Sequence, residues 1–215
     1  AGAGADRPDH DAVDQPETVA EAPAVPVLPP AGAPSMARFP RGAAAGTALH
    51  GLFEALDFPA AHGPALTDAV AQTLLRAGYP SHWQGTLERL IGDVLDTPLD
   101  GEALCLRGIE RPQRRDELEF YFPLRHIEPA TLNRLFDADD LPALRFDPVE
   151  GVLKGYIDLV FEWQGRFYLA DYKSNWLGHG PADYARPALR AAIAEHRYDL
   201  QYLVYTVALH RYLRR

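Results

Sequence analysis

The chain has 215 residues, of which 47% are hydrophobic, enough for one globular domain with an appendage. Its formal net charge of −9 argues against a freestanding protein that grips nucleic acid through a basic surface, because such binding depends on neutralising phosphates. Any nucleic acid would have to be delivered by a partner or held locally through a metal ion. The single cysteine, Cys105, excludes disulfides, cysteine-ligated zinc and four-cysteine iron–sulfur clusters within the chain.

Hydropathy and the lack of a recognisable targeting signal predict a soluble cytoplasmic protein without membrane association. The sequence has no run of about 18 apolar residues and no charged-then-apolar signal segment. Cys105 stands between two leucines, which favours a buried hydrophobe over a thiol catalyst.

Residues 1–40 are rich in alanine and proline, and their prolines exclude regular structure. We interpret this segment as a disordered, semi-extended tether to something upstream, with residues 25–30 as an apolar stretch able to dock on a neighbouring surface. The folded domain is predicted to span residues 41–215.

The first helix is predicted over residues 47–57, where leucine and phenylalanine recur at helical spacing and Thr47 is the expected N-cap. His50 lies beside this apolar stripe, one turn before Glu54. A histidine in such a place is ordinarily a core or boundary residue, and a metal ligand is the alternative. Glu54 is expected to be solvated or to orient the imidazole.

Helical spacing predicts two further helices, over residues 66–76 and 85–95. Residues 104–109 are predicted to form a short apolar strand. The basic cluster at residues 111–115 is expected to be a solvated turn.

Residues 116–124 alternate apolar and polar side chains and predict a strand with one apolar face. If this strand pairs with the hairpin described next, Glu119 brings a third carboxylate towards it. A solvated glutamate is the alternative for Glu119, and Glu117 is an alternative for the acidic role.

Two strands joined by a tight turn are predicted at residues 152–161 and 166–172, with Gly165 in the reversal. A loop of two or four residues pairs positions whose numbers sum to 329, so Asp158 then lies opposite Asp171. Opposed like charges are destabilising unless they are neutralised, and a divalent cation is the obvious neutraliser.

Strand alternation puts Lys173 on the face of Asp158 and Asp171, while Ile157, Leu159 and their neighbours form a core face. A loop of three residues would instead separate the two carboxylates. The alternative interpretation of Asp158 and Asp171 is an exposed carboxylate pair on an amphipathic hairpin. Charged groups in largely apolar strands, however, are usually paired or metal-bound.

A short helix is predicted over residues 129–136. Residues 174–184 are expected to form a loop of the kind that often borders a functional site. A long helix, bent near His196, is predicted for residues 187–213. Its core stripe is taken as Leu200, Leu203, Val204, Val207 and Leu209. Arg197, Gln201 and Tyr205 share a second line, for which an exposed polar face is the ordinary expectation.

In chain order, these elements resemble the RecB-type branch of the PD-(D/E)XK nucleases, and within it the nuclease domain of exodeoxyribonuclease V. The resemblance covers about residues 41–215 and is carried by three stretches in the same order: GYIDLVF at 155–161, LADYKSNWLG at 169–178 and HRYDLQY at 196–202. It implies an α/β fold with a small mixed sheet flanked by helices.

Specific roles follow from the resemblance alone. It implies that His50, Asp158 and Asp171 bind a catalytic Mg²⁺, for which Mn²⁺ or Ca²⁺ can substitute in binding. It makes Lys173 the residue that orients or activates the attacking water, and it matches Glu119 to an acidic residue of the preceding strand. The substrate-positioning residues would be Gln201, Tyr205 and Tyr172.

The implied activity is a metal-dependent deoxyribonuclease acting in double-strand-break repair, recombination and degradation of linear DNA. The implied partners are single-stranded ends of an unwound duplex, the RecC and RecD chains and the RecB helicase region. Family domains continue beyond the last helix, so we expect a truncated or divergent domain. The alternatives are a catalytically silent interaction module and another phosphodiesterase of this fold, such as a junction resolvase.

Overall fold

The computed structural model describes residues 35–136 and 143–214, so the predicted tether at residues 1–34, with its apolar stretch, lies outside the described residues. The described residues fall into two compact units. Residues 35–111 with 173–176 form the first, and residues 112–172 with 177–214 form the second. In neither part of the described chain is a helix long and apolar enough to cross a membrane.

Three helices build the first unit: α1 (Ala43–Ala55), α2 (Gly63–Ala77) and α3 (Gln84–Asp96). The second helix packs against the other two. Leu52, Val70 and Ile91, one from each helix, are fully buried, as the helical spacing of apolar residues predicts.

The start of α1 differs from the prediction. The helix begins at Ala43, and its N-cap is Gly42, with a φ of 95° that disfavours other residues, so the prediction of Thr47 as the cap is wrong. Folded structure also reaches back before residue 41. A short 3₁₀ turn covers Met36–Arg38, and the Phe39 ring that follows is only 4% exposed.

The strand predicted at residues 104–109 is wrong, because this segment forms a 3₁₀ turn at Leu106–Gly108. Leu106 and Ile109 are buried. The apolar residues therefore indicated burial correctly, but they did not indicate an extended backbone. Cys105 is half-buried, and its Sγ donates to the backbone oxygen of Asp96 at 3.4 Å.

Arg107 fixes this turn through contacts with two distant segments. Its Nε and Nη2 form a two-pronged ion pair with the Asp96 carboxylate at 2.6 and 2.9 Å. Its Nη1 donates to the backbone oxygens of Phe58 and Ala61 at 3.3 and 2.9 Å. A planar guanidinium matches this set of acceptors, whereas an ammonium does not.

The second unit contains an antiparallel sheet of three described strands, in the order β1 (Arg114–Ile127), β2 (Val149–Trp163) and β3 (Arg166–Ala170). The predicted α/β class with a small sheet is confirmed. Gln164 and Gly165, with φ values of 51° and 75°, form the two-residue turn between β2 and β3.

Three helices accompany this sheet: α4 (Pro129–Phe136), α5 (Arg186–His196) and α6 (Tyr198–Leu213). The predicted long C-terminal helix is broken at Arg197, which adopts a left-handed φ of 55°. The Arg197 side chain binds the Asp199 carboxylate through Nε and Nη2 at 3.0 and 2.9 Å, which fastens the break at the start of α6.

The apolar core of this unit forms where α6 packs on the sheet. Its buried members are Ile157, Val160, Tyr205, Ala208 and Leu209. The predicted core stripe of α6 is therefore only partly right. Val207 is 37% exposed, whereas Tyr205, expected on an exposed polar face, is 7% exposed.

Gly155 makes room for the aromatic contact that Tyr205 forms in this core. A Cβ at position 155 would collide with the ring of its strand partner Phe120, so only glycine lets that ring lie over the sheet. The Phe120 ring then meets the Tyr205 ring edge-on, with centroids 5.8 Å apart.

We expect Arg107→Ala to lower the free energy of unfolding by about 1–3 kcal/mol, because it leaves the Asp96 carboxylate and two backbone oxygens without these donors. Arg107 holds the pKa of Asp96 below its usual value. This part of the stability is therefore present above the unfolded pKa of about 3.9 and disappears as pH falls through the lower folded value. Urea denaturation at several pH values measures it.

Arg76→Ala is the matched control, since the exposed Arg76 contacts only the Gln72 backbone oxygen within its own helix among the described contacts. Equal losses of stability in the two variants would contradict the anchoring role of Arg107.

Candidate active site

The register of the hairpin follows the predicted sum of 329. Its outermost paired residues, Trp163 with Arg166 and Leu159 with Ala170, both obey that sum. The ladder ends at Leu159 and Ala170, and Asp158 and Asp171 are the next residue of each strand beyond that last pair. The Asp158 Oδ2 accepts a hydrogen bond from the backbone N–H of Tyr172 at 2.7 Å.

Helix α6 reaches the same place through two side chains. Gln201 donates a hydrogen bond from Nε2 to the Tyr205 hydroxyl oxygen, one turn later in the helix, at 3.0 Å. The charge of the Asp171 carboxylate raises the pKa of that hydroxyl. The structure therefore brings Gln201, Tyr205 and Asp171 near one another.

The two carboxylates differ in exposure. Asp158 is 7% exposed and lies within residues 157–161, which are all buried, whereas Asp171 is half-buried. The expectation of one core face and one polar face is therefore wrong at this end of β2, where both faces are covered. Burial raises the pKa of Tyr205, and the carboxylates of Asp171 and Asp158 raise it further because its ionisation would add a third negative charge.

A buried ion pair that the sequence analysis missed lies beside Tyr172. The Arg114 side chain is fully buried, and its Nε is 3.5 Å from the Asp116 Oδ2. Burial raises the pKa of the Tyr172 hydroxyl, with a contribution from Asp116 that Arg114 opposes. The expectation of a solvated turn at residues 111–115 is therefore wrong for Arg114. The sequence signal for this ion pair was the spacing of Arg114 and Asp116, two residues apart at the start of a strand.

The strand that carries Glu119 does pair with the hairpin, and Glu119 itself lies across from Tyr156. Its Oε1 accepts hydrogen bonds from the hydroxyls of Tyr121 and Tyr156, both at 2.7 Å, and lies 2.8 Å from the Lys154 Nζ. The described contacts of this carboxylate are thus with a lysine and two tyrosines. By register it is Glu117, with a left-handed φ of 47°, that stands across from Asp158.

The other predicted residues belong to the first unit. His50 lies in α1 and is half-buried, with its Nε2 atom buried. Lys173 opens the short segment 173–176, in which the Trp176 ring lies 3.8 Å from the Arg41 guanidinium. Across the described residues, no three histidine, cysteine or acidic side chains gather as a ready-made metal cage.

The donor chemistry of Asp158 and Asp171 suits a hard divalent cation. Mg²⁺ is usually bound through one or two carboxylates together with water and substrate phosphates, not by a full protein cage. Two oxygen donors in a buried setting fit that pattern, since a nearby cation offsets the cost of burying like charges.

Comparison with known proteins gives a consistent result, although no family model matches the chain. The chain is 46% identical over 183 residues, 82% of its length, to the RecBCD enzyme subunit RecB of Escherichia coli K12. The chain is homologous to RecB. RecB subunits of Haemophilus influenzae and Mycolicibacterium smegmatis share 37% and 34% identity with it, over 81% and 88% of its length.

The matched region is a small part of each RecB subunit. It spans 15% of the Escherichia coli RecB, 14% of the Haemophilus influenzae RecB and 20% of the Mycolicibacterium smegmatis RecB. The resemblance to RecB that the motifs predicted is confirmed.

The network around Glu119 predicts a strongly acidic carboxyl group. Lys154, followed by Tyr121 and Tyr156, lowers the pKa of Glu119 to about 2. We expect Lys154→Gln to raise this pKa towards the ordinary glutamate value of about 4.3, whereas Lys154→Arg, which keeps a cation, holds it low. Carbon-detected NMR titration of the side-chain carboxyl measures the change, and an unchanged value in Lys154→Gln would contradict the assignment.

Proposed function

We propose that this RecB-like region is a Mg²⁺-dependent deoxyribonuclease domain of a RecBCD-type helicase–nuclease. It would act in double-strand-break repair, recombination and degradation of linear DNA, on single-stranded ends that a RecB helicase region delivers, together with RecC and RecD. The observation that carries the proposal is the register of the hairpin, in which Asp158 and Asp171 directly follow the last strand pair, together with the charge of both carboxylates raising the pKa of Tyr205. Homology to RecB supports the same conclusion.

Asp158 and Asp171 are the residues of the second unit that would hold the metal. We add His50 as a third ligand, because the resemblance to the RecB-type nucleases implies this role. When bound, Mg²⁺ would supply a Lewis acid that polarises the scissile phosphate and activates water. Delivery of DNA by partners fits the net charge of −9, since an acidic domain gains little from long-range attraction to phosphates.

Lys173 would supply the cation that stabilises the negative charge building on the phosphate oxygens. It follows Asp171 by two residues, which is the spacing of the D-Y-K motif. A fixed ammonium in a partly buried place stabilises developing charge more strongly than bulk water does.

Tyr172, Tyr205 and Gln201 would act as positioning residues. The Tyr172 backbone N–H donates a hydrogen bond to Asp158, which limits the rotation of that carboxylate. Gln201 restrains the Tyr205 hydroxyl, whose pKa the Asp171 charge raises. A carboxylate restrained in this way needs less rearrangement when it meets a cation.

Lys173→Ala tests the proposal. We expect it to lower Mg²⁺-dependent cleavage of single-stranded DNA by about 10²–10³-fold, the usual loss on removing one electrostatic contributor. Binding of Mn²⁺ is expected to persist, because the carboxylates remain. The measurement is single-turnover cleavage of a labelled oligonucleotide with calorimetry on the same samples.

Asp171→Asn, purified in the same way, is the control for contaminating nuclease, because it is expected to show no cleavage. Lys173→Arg tests whether a positive charge at this position is sufficient for cleavage. Equal rates for Lys173→Ala and the unmodified chain would refute the role of Lys173. Equal rates for Asp171→Asn would refute the site.

A further inference from the structure

The segment at residues 173–176 has no helix or strand of its own. It belongs to the first unit together with residues 35–111. Lys173 opens the segment and is half-buried, and Trp176 closes it with a ring that is 40% exposed. Since no helix or strand ladder fixes the segment, its contacts with the rest of the first unit decide where it lies.

Arg41 makes a direct contact with the end of this segment. Its Cζ atom lies 3.8 Å from the centroid of the Trp176 ring. This separation is well inside the reach of a cation–π interaction, which is about 6 Å. The Arg41 Nη2 also donates to the Ala37 backbone oxygen at 3.4 Å, which restrains the side chain. Arginine suits the contact, because its planar guanidinium stacks on the broad face of an indole.

The backbone that carries Arg41 is fixed on both sides. Two residues earlier, the buried Phe39 ring meets the Tyr79 and Trp83 rings edge-on, with centroids 5.4 Å apart in each case. One residue later, Gly42 is the N-cap of α1. The guanidinium of Arg41 is therefore a fixed point of attachment for the segment.

Holding Trp176 limits the positions that are open to Lys173. The two residues are three positions apart, and an extended backbone covers at most about 10–11 Å over that length. Helix α1 begins two residues after Arg41 and carries His50. Within the first unit, the contact thus ties the segment of Lys173 to the start of the helix that carries His50.

We propose that Arg41 is a positioning residue for Lys173, which it holds in place through its cation–π contact with Trp176. This role rests on the proposed function, in which the Lys173 ammonium stabilises charge on the phosphate oxygens. A loosened segment would place that ammonium correctly for a smaller fraction of the time, so cleavage slows while the carboxylates keep their affinity for metal. The contact itself requires no cleavage and is measured separately.

Quenching of tryptophan fluorescence by acrylamide measures the contact in the full chain. The sequence contains three tryptophans, and the difference between each chain and its Trp176→Phe version isolates the signal of Trp176. We expect Arg41→Ala to raise quenching of this signal about twofold, because it uncovers one face of the ring. Acrylamide is neutral, so the lost positive charge does not by itself change its approach. Arg76→Ala, which removes an exposed arginine of the same unit, is expected to change nothing.

Single-turnover cleavage of a labelled single-stranded oligonucleotide measures the effect on Lys173. We expect Arg41→Ala and Trp176→Ala each to slow cleavage about two- to fivefold, the population change that one exposed cation–π contact supports. The double variant is expected to be no slower than either single variant, because both remove the same contact. Trp176→Tyr keeps an aromatic face and is expected to retain most of the rate.

Two further arms separate positioning from a general structural effect. Added to Lys173→Ala, Arg41→Ala is expected to cause no further loss of rate, because the residue that it positions is already gone. Calorimetry is expected to give the same Mn²⁺ affinity for Arg41→Ala and the unmodified chain. Circular dichroism confirms folding of each variant.

Unchanged quenching in Arg41→Ala, or an equal further loss of rate when Arg41→Ala is added to Lys173→Ala, would overturn the inference. The same measurements separate it from the proposed nuclease function. If Lys173→Ala is impaired while Arg41→Ala cleaves normally, the positioning role fails alone. If Lys173→Ala cleaves normally, the proposed role of Lys173 fails, and the positioning role of Arg41 fails with it.

Discussion

The second unit depends on the two carboxylates, Asp158 and Asp171, that follow the last pair of the β2–β3 ladder. Asp158 is buried and Asp171 is half-buried, and like charges facing each other across a strand pair repel. The Tyr172 backbone N–H offsets part of this cost through its hydrogen bond to Asp158. In the proposed function, a bound cation would offset the rest.

The register that creates the pair follows from a short turn. Gln164 and Gly165 both take positive φ values, which a two-residue hairpin turn of this type requires. One residue more in the turn would move Asp171 to the opposite face from Asp158. The same strand also carries Gly155, which admits the Phe120 ring and through it positions Tyr205. Core packing and site geometry are therefore set by neighbouring residues of one strand.

The sequence predicted those features that depend on local pattern. Helical spacing found α2 and α3, alternation found β1, and Gly165 located the hairpin and its register. The sequence motifs also found the relation to RecB. The predictions that were wrong concern features that depend on contacts with distant residues. Arg107 bends an apolar segment into a turn by binding residues 11 to 49 positions away, and no local signal in residues 104–109 reports those contacts.

The candidate site shows the same division. The facing of Asp158 and Asp171 followed from residue spacing, whereas the inward face of Tyr205 required knowledge of how α6 lies on the sheet. Burial of Arg114 beside Asp116 was likewise missed, because a cluster of basic residues is ordinarily solvated and the spacing of Arg114 and Asp116 is only a weak signal against that expectation. Local periodicity describes a helix or strand by itself, but the third element packed against it decides which polar residues become buried.

Calorimetric titration with Mn²⁺ measures whether Asp158 and Asp171 share a cation. We expect Mn²⁺ binding by the unmodified chain, its loss in Asp158→Asn and Asp171→Asn, and weaker binding in Tyr205→Phe, which loses the hydroxyl near Asp171 while keeping its ring. Mn²⁺ binding of equal strength in the unmodified chain and both asparagine variants, or no binding in any of them, would show that these carboxylates do not form a metal site.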